Sequence, residues 1–473
     1  MAEIKFGTDG WRAIISEDFT FENVKIVAQA IADYVNNESE EVHRRKEVVV
    51  GYDTRFLSED YAGTVSCVLA ANGVKVILSS LASPTPSVSY AIKDRGLRGG
   101  VMITASHNPP KYNGIKYKAY YGSSAGTDII GKIESYLKKS PVKETTLAKA
   151  VSEGIIKIDN IVSRHLSFAK RYVDLKLLRN SRIKVIADSM YGTGNDYIAE
   201  LLSGGRARVE TIHNYKNPYF GGINPEPILP NLNELAARTK KGKFDIGLAT
   251  DGDADRLGVA APNGRILTGH KVMTLLLLHL LEDKGLKGEV VQTICGTFLI
   301  NKICARYGLK MHETPVGFKY ICALMTKRDI LIGGEETGGI SFKDYIPERD
   351  GILSGLLILE MMAARKKRLL DILRSIDKEY GTYEYRRVDI NYPDDKKGPL
   401  MERLKTSPPR DILGKRVVET KDYDGFKFIC EDSSWLILRL SGTEPKLRVY
   451  AEAATEKKAL AILDFGKKLA YGK

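Results

Sequence analysis

The sequence predicts an α/β protein that ends in a smaller α+β domain. Short apolar strand signals alternate with helical ones as far as a linker near residue 380. Three polar loops each follow directly on such a strand, and beyond the linker strand signals crowd together.

Taken in order, Thr20 to Asn36 carries Val24, Val27, Ile31, Tyr34 and Val35 at helical spacing. Val48–Val50 reads as a short buried strand, and Ser58 to Asn72 as a helix between a capping serine and Gly73. Val74–Leu78 and Gly100–Ile103 supply two more strands, and the pattern recurs with Ile183–Ala187, Phe244–Ala249 and Asp329–Ile332. No identity appears at a fixed period, so architecture repeats rather than sequence. Val272–Leu281 is too short to cross a bilayer and contains His279, which makes it a buried helix. Ile352 to Tyr380 reads as one long helical run. Phe426–Ile429, Trp435–Arg439 and Leu447–Ala451 are the strands of the terminal part.

At 473 residues the chain is too long for one core and predicts about three or four domains. The formal charge of +13 comes without a long basic run, a zinc-finger pattern or basic residues interleaved with aromatics, which favours phosphorylated metabolites over nucleic acid. The patch Arg365–Arg368 reads as the solvated end of a helix. Five scattered cysteines, odd in number and without CxxC spacing, argue against a disulfide framework and a zinc site. With no apolar leader at the start, a cytoplasmic location without membrane attachment is expected, as a monomer or homodimer.

The three loops are Thr104–Pro109, Asp251–Arg256 and the Gly-Glu-Glu-Thr-Gly segment at 334–338. Ligands gather at the carboxyl ends of strands in α/β sheets, so the three are candidates for one cleft. Asp251, Asp253 and Asp255 lie at spacing two, which in an extended loop aims all three carboxylates the same way. Their repulsion calls for a divalent cation, and hard oxygen ligands favour Mg²⁺. An EF-hand is excluded because Arg256 and Pro262 stand where glycine and glutamate belong; a solvated acidic turn is the remaining alternative. Ser106 is in no GxSxG elbow, and neighbouring side chains of an extended loop point apart, so His107 is badly placed as its base. A phosphoserine at 106 would instead supply the metal with a further oxygen, making Ser106 a phosphoryl carrier. Arg439 and Arg448, around Ser441, Gly442 and Thr443, make a cradle for a dianionic phosphate, or else an ordinary polar turn.

The loops at 6–12 (FGTDGWR), 104–109 (TASHNP), 251–256 (DGDADR), 334–338 (GEETG) and 439–445 (RLSGTEP) together resemble the α-D-phosphohexomutase family. That resemblance implies three related α/β domains with mixed sheets, at 1–155, 156–268 and 269–380, and a C-terminal α+β domain at 381–473, around a central cleft. It implies phosphorylation of Ser106, Mg²⁺ on Asp251, Asp253, Asp255 and the phosphoserine, and transfer between hexose phosphates through a hexose 1,6-bisphosphate. Arg12, His107 and Arg256 would steady the moving phosphoryl group. Lys116 matches the acid/base position, a role that requires a depressed pKa. Glu335 and Thr337 would meet the sugar, Lys319 the substrate, and Arg439, Ser441, Gly442, Thr443 and Arg448 the phosphate that is not reacting. The third loop resembles the glucose-type members, although Gly339 stands where the mannose/glucose type carries a histidine. Phosphoglucomutase is therefore expected, ahead of phosphomannomutase and of phosphoglucosamine mutase or phosphopentomutase. A silent sugar-phosphate sensor and a Mg²⁺ phosphatase are the competing functions.

Overall fold

The computed structural model describes residues 4–7, 9–38, 44–441 and 445–472. The chain forms two compact units, Met1–Gly288 with Gly317–Leu370, and Glu289–Val316 with Asp371–Lys473.

In the first unit, one sheet runs in the order Trp11–Ile14, Tyr112–Ala119, Leu97–Ile103, Arg45–Tyr52, Lys75–Ser79 and Ile156–Asp159. Its last four strands are parallel, and Tyr112–Ala119 runs antiparallel to both of its neighbours. Parallel neighbours need crossover helices, which Ser58–Ala71 and Thr85–Arg95 provide. Val48, Val50, Val101 and Ile103 pack into one core with Val24, Val27 and Ile31 of the helix Phe21–Asn37. Thr20 caps that helix by accepting from the Asn23 amide at 3.3 Å.

A second sheet orders Ile266–Leu267, Leu257–Ala260, Ile246–Thr250, Lys184–Asp188 and Arg208–Ile212. Ile330–Gly334 and Ile340–Phe342 form an antiparallel pair. The run at 272–281 is a buried helix, Gly269–Leu278, continued by one wider turn at His279–Asp283. That turn brings His279 Nε2 to 2.8 Å from Glu360 Oε2.

The expected single helix from Ile352 to Tyr380 is instead two, Gly351–Arg365 and Leu369–Tyr380. Lys366 ends the first in a left-handed conformation, φ 51°, with its amide donating back to Met362 and Ala363. Four successive cations at 365–368 repel one another and offer no apolar stripe to continue the packed face.

The second unit contains the parallel pair Glu289–Thr293 and Met311–Thr314, joined through the helix Phe298–Tyr307. It also holds a sheet ordered Glu384–Asn391, Lys446–Ala453, Trp435–Leu440, Phe426–Cys430, Lys415–Lys421 and Asp411–Ile412, with antiparallel neighbours throughout. Leu436, Leu438 and Val449 pack against Ala459 and Ile462 of the helix Glu456–Ala470. The expected α/β architecture with an α+β terminal part is what the chain adopts. Among the described residues no helix is long and apolar enough to cross a membrane.

Candidate active site

The Ser106 loop links the strands Leu97–Ile103 and Tyr112–Ala119. It is not extended: Ser106 has φ 51°, a left-handed conformation that costs a non-glycine residue about 1 kcal/mol. Its surroundings impose that geometry. The Ser106 amide donates to Thr104 Oγ1 at 2.8 Å, and that hydroxyl donates to Asp53 Oδ2 at 2.6 Å. Arg55 donates through Nη2 to the carbonyls of Ser106 and Asn108, both at 2.6 Å, and through Nη1 to those of Pro109 and Tyr112, both at 2.9 Å. Arg55 Nε lies 3.2 Å from Asp53 Oδ2, with both side chains fully buried. One guanidinium thus staples the loop.

The turn also corrects an expectation. Ser106 and His107 do not point apart, for Ser106 Oγ lies 3.3 Å from His107 Nδ1. Burial, with Arg256 and Arg12 nearby, pushes the His107 pKa well below its usual value, so the ring is neutral. Arg12 Nη1 donates to Asn108 Oδ1 at 2.7 Å, which places it over the same loop. Arg55→Lys keeps a charge beside Asp53 but loses the planar fork. Amide exchange across residues 104–112, followed by mass spectrometry, should accelerate at least about tenfold; unchanged exchange would show that the fork is dispensable.

The second loop leaves the strand Ile246–Thr250 and enters Leu257–Ala260. It too is a turn rather than an extended run, with Ala254 at φ 55°, yet the carboxylates converge. Asp251, Asp253 and Asp255 are buried, and one oxygen from each lies within 4.8 Å of the others. Gly252 permits the close approach to the serine loop, since a Cβ there would stand 2.7 Å from the Ser106 carbonyl. Asp251 Oδ1 accepts from the amides of Asp255 and Arg256 at 2.9 and 3.1 Å, and its Oδ2 accepts from Ser106 Oγ at 3.0 Å. Asp253 Oδ2 accepts from Thr85 Oγ1 at 2.7 Å and from Lys116 Nζ at 2.9 Å. Asp253 Oδ1 is buried with no hydrogen-bond partner among the described residues. Arg256 Nε stands 3.9 Å from Asp251 Oδ2 and 4.0 Å from Asp255 Oδ1.

Burial and the neighbouring carboxylates push the Asp251 pKa well up. Burial also raises Asp255, against the pull of Arg349. Asp253, where burial again pushes upward, is held low by Lys116, Thr85 and Arg349. A cluster of mutually repelling, oxygen-only donors, in which Asp253 Oδ1 and both Asp255 oxygens lack a hydrogen-bond partner among the described residues, fits a hard divalent cation.

Lys116 corrects a second expectation. Its Nζ lies 2.9 Å from both Asp253 Oδ2 and Asp9 Oδ2, and 4.0 Å from Asp255 Oδ2. Burial alone would lower its pKa, but these carboxylates outweigh it and raise the pKa, so the ammonium is favoured.

The third loop joins this cluster through Arg349. Its Nη2 lies 2.6 Å from Asp255 Oδ2 and 3.2 Å from Asp9 Oδ2, and its Nη1 lies 3.4 Å from Glu335 Oε2. The Leu257 amide donates to the Gly338 carbonyl at 3.0 Å, which ties the second and third loops through backbone as well. Burial pushes Glu335 up to about 7, against Arg349. Thr337 Oγ1 is buried without a hydrogen-bond partner among the described residues, and a sugar hydroxyl would satisfy it. Lys319 is half-buried, its Nζ 5.2 Å from the centre of the Tyr320 ring.

The cradle residues belong to the second unit. Arg439 and Arg448 are register partners on adjacent antiparallel strands. Arg439 Nε donates to Asp424 Oδ1 at 2.8 Å, and Arg448 Nε lies 3.7 Å from Asp389 Oδ2. Ser441 is buried, and its carbonyl accepts from Lys397 Nζ at 3.1 Å. Gly442 and Thr443 lie outside the described residues.

Sequence reasoning missed Asp9, Arg55, Arg349 and Lys118. Asp9 stands three residues before Arg12 in a segment already singled out. Lys118, two after Lys116 on the same strand, shares its face, and its Nζ lies 2.5 Å from Glu348 Oε2. Arg349 had a weaker signal, the charged run Glu348–Asp350 just before an apolar helix.

Fold and site together define a class: α/β proteins whose buried serine faces a triad of carboxylates at the carboxyl ends of strands. Residues 3–143, 163–264 and 268–380 match alpha/beta/alpha domains I, II and III of phosphoglucomutase/phosphomannomutase, and residues 399–465 match its C-terminal domain. A phosphoglucomutase/phosphomannomutase of Thermococcus kodakarensis is 31% identical over 98% of both chains. A phosphoglucosamine/phosphogalactosamine mutase of Sulfurisphaera tokodaii is 29% identical over 99% of both. A solved protein of Thermus thermophilus, assigned as a phosphomannomutase, superposes with a TM-score of 0.87 at 33% identity over 100% of both chains. The chain belongs to the phosphoglucomutase/phosphomannomutase family, the phosphohexomutases of the isomerase class.

Proposed function

We propose that this phosphohexomutase interconverts glucose 1-phosphate and glucose 6-phosphate, with Ser106 as the phosphoryl carrier. The observation that carries the reading is Ser106 Oγ at 3.0 Å from Asp251, inside a buried carboxylate triad. Asp251, Asp253, Asp255 and the Ser106 oxygen would hold Mg²⁺, which when bound supplies positive charge to offset that of the transferring phosphoryl group.

In the first half-cycle a free sugar hydroxyl attacks the phosphorus on Ser106. The new sugar O–P bond forms as the P–Oγ bond breaks, and the hydroxyl proton ends on Ser106 Oγ. His107, neutral and with Nδ1 3.3 Å from that oxygen, can accept and pass on that proton, while Lys116, held as the ammonium, would act from the acid side by donating to the oxygen that takes up charge. Arg12 and Arg256 steady the phosphoryl oxygens. The product is a hexose 1,6-bisphosphate, and return of its other phosphate to Ser106 completes the cycle. A trace of that bisphosphate loads Ser106 at the start. Glu335 and Thr337 bind sugar hydroxyls, Lys319 contacts the substrate, and Arg439, Ser441, Gly442, Thr443 and Arg448 grip the phosphate that stays.

The preference for glucose rests on Glu335–Gly339 and on Thr314–Tyr320, which resemble the glucose-type loops. A second reading, a glucosamine or mannose phosphate, is favoured by the names of the relatives. The test is ³¹P NMR of the protein with Mg²⁺, trace glucose 1,6-bisphosphate and, separately, the 1-phosphates of glucose, mannose, glucosamine and ribose. Fastest conversion of glucose 1-phosphate is expected. Faster conversion of another sugar would overturn the preference, and conversion of none would overturn the reading. Free phosphate released in step with substrate loss would make the protein a phosphatase.

Glu335 gives the reading a pH signature. Its carboxyl, near 7, is ionised above that pH and there becomes an acceptor for sugar hydroxyls. The KM for glucose 1-phosphate should fall on the order of three- to tenfold as pH rises through that value. In Glu335→Gln this component should vanish, leaving only titration of the substrate phosphate; an identical pH profile would remove Glu335 from sugar binding.

A further inference from the structure

Arg439 and Arg448 face each other in register across two strands, where like charges repel. Each has a carboxylate, but the two are held differently. Asp389 is shared with Arg387, whose Nε and Nη2 donate to it at 2.7 and 2.6 Å, and it reaches Arg448 only at 3.7 Å. Asp424 accepts a direct hydrogen bond from Arg439 Nε at 2.8 Å.

Asp424 sits in the turn between Lys415–Lys421 and Phe426–Cys430. Gly425, at φ 81°, lets that turn lie against the strand carrying Arg439, because a Cβ there would stand 2.5 Å from the Leu438 carbonyl. The other Asp424 oxygen accepts from the Val316 amide at 2.7 Å. Val316 follows the strand Met311–Thr314 and leads along the chain to Lys319. One carboxylate therefore holds both Arg439 and the backbone just after the strand Met311–Thr314.

We propose that Asp424 is a positioning residue that aims Arg439 at the substrate's phosphate and ties that grip to the Thr314–Val316 backbone of the same unit; the proposal rests on the cradle role given to Arg439 above. A hydrogen bond at Nε fixes the plane of the guanidinium, so the two Nη groups are those offered to a phosphate as a fork. A carboxylate that merely neutralised Arg439 would compete with the ligand. One engaged at Nε and anchored on a backbone amide instead spends the ordering of the side chain before binding.

The test measures the Kd of glucose 6-phosphate by calorimetry on the full-length protein, with kcat and the thermal midpoint alongside. Asp424→Asn, which keeps the shape and loses the charge, should raise Kd about tenfold, with kcat within about twofold and the midpoint within about 2 °C. Arg439→Met should raise Kd on the order of 100-fold, and adding Asp424→Asn to it should raise Kd no further, because one residue acts through the other. A Kd that is unchanged or lowered in Asp424→Asn, or that rises as much in the Arg439→Met background, overturns the proposal while leaving the cradle intact. An unchanged Kd in Arg439→Met instead removes the cradle role, and the ground for Asp424 with it.

Discussion

Ser106→Ala should lower mutase turnover by at least about 10³-fold while glucose 6-phosphate still binds within about threefold of the parent Kd. The reason is specific to a carrier: in the proposed cycle the hydroxyl would be a bond partner of the phosphorus at every turnover, whereas its hydrogen bond to Asp251 is a minor part of the protein's stability. Ser106→Cys is an informative companion, since it keeps a nucleophilic atom at the same place beside His107 and the triad. Incubation with ³²P-labelled glucose 1,6-bisphosphate should label the parent protein and leave Ser106→Ala unlabelled. Labelling of Ser106→Ala, or turnover above about a tenth of the parent rate, would place the carrier elsewhere.

Asp251→Asn should have the next largest effect, and its sign should depend on the metal. The asparagine carbonyl can still accept from the amides of Asp255 and Arg256, so the turn keeps its caps. What is lost is one of three buried charges crowded within 4.8 Å. Mn²⁺ affinity, read by electron paramagnetic resonance as a stand-in for Mg²⁺, should fall about 100-fold, and turnover about 10³-fold. In metal-free buffer the thermal midpoint should instead rise by about 2 °C, because relief of carboxylate repulsion outweighs the weakened contact to Ser106. A midpoint that falls without metal would mean that the triad is already neutralised by Lys116, Arg256 and Arg349. Metal affinity left intact would take the cation away from this loop.

Much of the fold was legible from period and punctuation. Val48–Val50 and Gly100–Ile103 read as strands because they are buried on both faces, and the strands found there are Arg45–Tyr52 and Leu97–Ile103. The run at 352–380 misled because its apolar positions continue past Arg365, while the cations at 365–368 end the first helix. In the site, Ser106, the three aspartates and Glu335 were found because each is crowded with its chemistry in a short loop. The charge state expected of Lys116 was wrong for a different reason. Its partners Asp9 and Asp253 are 107 and 137 residues away along the chain, and nothing local announces them.

The amino-acid order alone fixes what depends on neighbours within a few residues: where strands give way to loops, which loops carry carboxylates, hydroxyls or guanidinium groups, and hence that phosphate and a hard cation are the ligands to expect. Folding settles which charges share one low-dielectric space. It turns Ser106 into a left-handed conformation under Arg55, sets Lys116 among carboxylates and places Arg349 between Asp255 and Glu335. Those outcomes depend on sums over distant groups, whose strength falls with separation in space and is blind to separation in sequence.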